Sequence, residues 1–139
     1  MLRNFFILLF VLPFLTACLG SSAAGTTPDK PSEGFSESMR WGDYSGAADY
    51  VAPSVRDAFL EQFQEDDDLH VVDSSVSKID VGKDPNRVVA YYVMEYYHLP
   101  SSQIKKWRWK QQWRLIVDEE SKDEVWLIDN KPPTLPWRK

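Results

Sequence analysis

Cysteine is almost missing from this 139-residue chain, with Cys18 standing alone. One thiol excludes an internal disulfide, so Cys18 is a free thiol, an intermolecular bridge or a modified residue. Histidine is nearly as scarce, with only His70 and His98. Nitrogen and sulfur ligands are therefore too few for a zinc centre, and no metal or other cofactor is expected. Basic charge is not in surplus either, since 16 Lys and Arg against 21 Asp and Glu give a formal net charge of −5. Nucleic-acid binders usually carry a basic footprint, so nucleic acid is not an expected partner. No Gly-rich phosphate loop and no Ser-His-Asp constellation can be assembled. The acidic run Glu65-Asp66-Asp67-Asp68 lacks the alternating ligands, central glycine and distal glutamate of a calcium loop, and reads as a solvated connector. What the chain does have is apolar and aromatic character, 43% and 14%. That is enough for one small core and argues against disorder.

At the N-terminus, Arg3 precedes the apolar run FFILLFVLPFL from Phe5 to Leu15. The run has the length of a signal h-region and falls short of the roughly 20 residues a spanning helix needs. Leu15, Thr16, Ala17 and Cys18 then follow in the order aliphatic, small, small, cysteine. This resembles the lipobox of bacterial lipoproteins. The resemblance implies cleavage after Ala17 and acylation of the Cys18 thiol, the lipidation site, with the membrane as partner. A thiolate attacks better than a hydroxyl near neutral pH, and several acyl chains anchor stably where one is marginal. Leu19 is not aspartate, which by the sorting rule of enteric bacteria favours the periplasmic face of the outer membrane.

Residues 1–17 are thus expected to be a lipoprotein signal peptide and residues 18–35 the lipidated cysteine with a flexible linker. The stretch Leu19 to Gly34 is small, polar and without periodicity. Residues 36–139 form the expected domain. Ser36 is a plausible N-cap for a short helix with Phe35, Met39 and Trp41 near its apolar side. Gly42-Asp43 breaks that helix, and Asp43 can cap a second, whose Tyr44, Ala47, Ala48 and Val51 share a face. Pro53 suits the first turn of a third helix, with Val55, Ala58, Phe59 and Phe63 on its buried side.

From Leu69 the residues are those of strands, expected at Leu69 to Val81, Arg87 to Leu99, Ile104 to Val117 and Glu124 to Asp129. Short connectors rich in turn formers imply an antiparallel meander. In the third strand Trp107, Trp109, Trp113, Leu115 and Val117 alternate with Lys106, Arg108, Lys110 and Arg114, so one face meets a core and the other water or a partner. Same-parity pairing with the second strand would set Tyr92 and Tyr96 beside the basic row, whereas a bulge would give the opposite pairing. The tail from Lys131 is too proline-rich for a central strand, with Leu135 and Trp137 able to fold back.

The fold expected is α+β, about three short N-terminal helices packed on a four-stranded antiparallel meander. The element order, with Trp113 and Trp126 near strand ends, resembles the NTF2-like group, and a cystatin-like arrangement is the competitor. The NTF2-like resemblance implies a curved sheet around a pocket, for which Tyr92, Tyr96, Trp109 and Trp113 are the candidate lining. Tyr92, Tyr96, His98 and Asp129 are residue types that could serve proton transfer in such a cone, yet no constellation singles them out. The reading is a non-catalytic interaction or binding module. Its expected interaction face is Lys106, Arg108, Lys110 and Arg114, suited to an envelope protein or an anionic surface.

Overall fold

The computed structural model describes residues 27–138; the leader, the lipobox with Cys18 and the first half of the tether lie outside the described residues. Three helices precede four strands among them: α1 Asp29–Arg40, α2 Tyr44–Ala48, α3 Pro53–Phe63, β1 Leu69–Val81, β2 Arg87–His98, β3 Lys105–Val117 and β4 Glu124–Ile128. The first helix begins earlier than its sequence suggests. Residues 29–35, expected in the linker, are helical, and Ser36 is buried within α1 instead of capping it. The reason is packing: Phe35 is fully buried, and burial of an aromatic side chain outweighs the weak local preferences of Pro31 and Gly34. Gly34 also lets α1 approach its neighbour, because a Cβ there would collide with the Tyr50 hydroxyl. Trp41 points outward and is 76% exposed.

The end of α1 and the start of α2 are written in three residues. Gly42 adopts φ 70°, its N–H donates to Met39 O at 3.1 Å, and Asp43 N–H donates to Ser38 O at 2.9 Å. This is a Schellman closure, which favours glycine at that position. The Asp43 carboxylate then accepts from Gly46 N at 2.9 Å and caps α2. Pro53 occupies the first turn of α3, where its missing N–H is not needed.

The strands pair in the order β1-β2-β3-β4, all antiparallel. The connector from Leu99 to Ile104 is longer than a tight hairpin and sets Tyr96 opposite Lys105 and Tyr92 opposite Trp109. The opposite-parity pairing therefore holds, and the tyrosines lie beside the tryptophan row, away from the basic row. One face of the sheet consequently carries Val88, Ala90, Tyr92, Met94 and Tyr96 with Trp107, Trp109 and Trp113, all buried. The helices cover this face. The tail does fold back: Leu135 is fully buried, and its N–H donates to the Gln62 side chain at 2.8 Å.

Candidate functional site

The covered face of the sheet is closed by rings from the helices. Phe35 meets Tyr92 edge-on at 5.2 Å and Trp109 at 6.0 Å between centroids. Phe59 stacks on Trp109 at 6.2 Å, and Phe63 meets Trp107 at 5.7 Å. These are the separations of packed aromatic pairs. Tyr92 and Trp109 are 1% exposed, and the Tyr92 hydroxyl shares a 2.6 Å hydrogen bond with Ser74. Burial pushes the Tyr92 hydroxyl well above its usual pKa, so it stays protonated.

The four residues expected to line one pocket are thus not brought together around one. Tyr92 and Trp109 sit inside the packed core, Tyr96 borders a small cavity of about 260 Å³ at the tail end of the sheet, and Trp113 borders a recess among Asp80 to Asp84. The physical cause is Phe35, Phe59 and Phe63, which occupy the space a pocket would need. The candidates for proton transfer separate likewise. Asp129 lies between Arg87 at 3.7 Å and Arg114 at 3.5 Å, whereas His98 lies at the tail.

The opposite face is open. Lys106, Arg108, Lys110 and Arg114 all project from it and are exposed. Two of the four have acidic partners: Lys106 binds Glu95 at 2.9 Å, and Arg114 reaches Asp129. Lys110 lies 6.0 Å from the Tyr91 ring centroid, with Lys78 at 5.7 Å. Both distances are those of cation–π contacts. Arg108 has no ion pair among the described residues. Half-buried Val89, Tyr91, Val93 and Tyr97 form the stripe of β2 on this face, and His70 stacks on Tyr97 at 4.8 Å.

A polar centre not anticipated from the sequence lies where α3, β2 and the tail meet. Asp66 accepts from Trp137 Nε1 at 2.7 Å and lies 3.1 Å from His98 Nε2, with Arg138 at 3.9 Å. The imidazole stacks on the Trp137 indole at 4.5 Å, and Tyr96 packs on the same indole at 4.9 Å. Burial works to raise the Asp66 pKa, but the hydrogen bonds from Trp137 and His98, with the His98 and Arg138 charges, outweigh it and hold the carboxyl below its ordinary value. Tyr44 is pushed up to about 12 by burial and by the Asp66 charge. Asp66 is therefore not part of a solvated connector; its side chain is 9% exposed. Glu65, in the left-handed region at φ 59°, turns the chain between α3 and this carboxylate. No local signal marks Asp66 among its acidic neighbours, because its partners lie 32 and 71 positions away.

No family model matches the chain, and no curated protein matches it significantly. Among solved structures it is similar to a candidate polyketide cyclase from Xanthomonas campestris pv. campestris, at 16% identity and a TM-score of 0.39, over 71% of this chain and 86% of that one.

Proposed function

We propose that this protein is a lipid-anchored lipoprotein of the bacterial envelope, held by Cys18, whose NTF2-like domain is a non-catalytic interaction module working through its outside. The observation that carries the outside reading is the contrast between the two sheet faces. One is sealed by Phe35, Phe59 and Phe63, and the other presents Arg108, which has no ion pair among the described residues, and Lys110, near the Asp80 carboxylate but not in contact with it, beside the half-buried stripe of β2. An acidic protein patch or an anionic surface complements that face.

Two experiments test the two halves. Fatty-acid labelling of cells should mark the wild type and spare Cys18→Ser; equal labelling of both would refute the anchor. Proteins recovered with the wild type should be lost with Arg108→Glu/Lys110→Glu, by about tenfold or more, and an unchanged set would refute the binding face.

A further inference from the structure

The tail end of the sheet holds a cavity separate from both the packed interior and the basic face. It measures about 260 Å³ and lies between the β2–β3 connector and the C-terminal tail, with no residue of α1, α2 or α3 in its lining. Both walls are fixed. On one side Leu99 N–H donates to Asp68 O at 3.0 Å, Ser101 N–H donates to His98 O at 3.1 Å, and Gln103 N–H donates to Ser101 Oγ at 3.2 Å. On the other, the Trp137 indole donates to Asp66 and stacks on His98. A site held in this way is formed before a ligand arrives.

Leu99, Pro100, Pro136, Tyr96 and Trp137 make the lining mainly apolar and aromatic. Two polar groups in it lack partners. Tyr96 is 2% exposed, and its hydroxyl, unlike that of Tyr92, has no hydrogen-bond partner among the described residues. Unlike the unpaired indole N–H groups of Trp107 and Trp109, this hydroxyl is not sealed from solvent. Lys105 faces Tyr96 across the ladder, is exposed, and has no ion pair among the described residues. It is the one Lys or Arg of the lining, which contains no Asp or Glu. The Asp66 carboxylate does not border the cavity and is held by Trp137, His98 and Arg138.

One ammonium and one phenolic O–H beside apolar walls match a single carboxylate on a compact apolar body. Hydrogen bonds to an ionised acceptor are about twice as strong as neutral ones, and a buried hydroxyl left unpaired is costly. A dianion would carry more charge than a single lysine answers. At about 30 Å³ for each water-sized group, the cavity admits roughly nine non-hydrogen atoms. We propose that this cavity binds a small monocarboxylic acid with an aromatic or short aliphatic body. Lys105 and the Tyr96 hydroxyl take the carboxylate, and Trp137 with the two prolines packs the body. The apolar walls supply most of the affinity, and the two polar groups select the acid.

The test titrates the full mature chain with benzoate, phenylacetate and hexanoate, following the Trp137 indole N–H resonance by NMR. At least one acid should give a saturable shift, and its primary amide should bind about tenfold or more weakly. Tyr96→Phe should weaken the acid by about tenfold or more, as one charge-assisted hydrogen bond is lost. Its melting temperature should not fall, because the hydroxyl it removes has no partner in the protein, which separates lost binding from lost folding. Lys105→Gln, at an exposed position, should weaken the acid by about threefold or more. Lys106→Gln, on the opposite face of the same strand, and Arg108→Glu/Lys110→Glu should leave binding unchanged. No saturable shift with any of the three acids, equal binding of acid and amide, or wild-type binding by both Tyr96→Phe and Lys105→Gln would overturn the proposal.

Discussion

At the scale of single residues, Asp66 is the most consequential side chain that local sequence does not reveal. It gathers His98, Trp137 and Arg138 from two distant parts of the chain, and hydrogen bonds to a charged group are each worth about 1.5–3 kcal/mol. Its folded-state pKa is depressed, so its contribution is present above the unfolded value of about 3.9. That contribution is lost as pH falls through the folded value. Asp66→Asn should therefore lower stability near neutral pH and flatten the acid side of the stability profile below about pH 4. Denaturant unfolding at a series of pH values measures this. The same variant should shift Trp137 emission to the red as the tail loosens; unchanged emission would show that the tail is held by Gln62 and Leu135 without help from Asp66.

At the scale of elements, most of the architecture is legible because it rests on local rules. Gly42-Asp43 ends one helix and starts another, Pro53 opens α3, and alternation marks both faces of β3. Gly42→Ala should cost about 1 kcal/mol or slightly more, since an L side chain is disfavoured at φ 70°. The cost is entirely conformational because no atom lies within 4 Å of the added Cβ, and a thermal melt will read it. What is not legible is long-range. The start of α1 at Asp29 is decided by the burial of Phe35 against Tyr92 and Trp109, contacts 57 and more positions apart. The pairing parity of β2 and β3 hangs on the length of a connector. Gln111 shows the same limit: it interrupts the tryptophan row, yet it is fully buried opposite the small Ala90 and accepts from Trp113 Nε1 at 3.1 Å.

At the scale of the molecule, the opposite-parity pairing places two aromatic rows on one face, and the phenylalanines of α1 and α3 complete a packed interior. The fold so built keeps its charged side chains outside, on the basic face of β2 and β3 and on the exposed side of α1. Tyr92, Tyr96, Trp109 and Trp113 are accordingly buried on the packed face, while Lys106, Arg108, Lys110 and Arg114 are exposed on the other, Lys106 and Arg114 in ion pairs with Glu95 and Asp129.

The most direct measurement of the central claim, that binding uses the exterior and not the interior, compares two variants by cross-linking in intact cells. Arg108→Glu/Lys110→Glu changes the open face, and Trp109→Phe trims a core ring whose indole N–H has no partner among the described residues. The account predicts that the first loses the cross-linked partners and the second keeps them. Partners retained by the charge-reversed protein and lost with Trp109→Phe, at unaltered abundance of both, would contradict it.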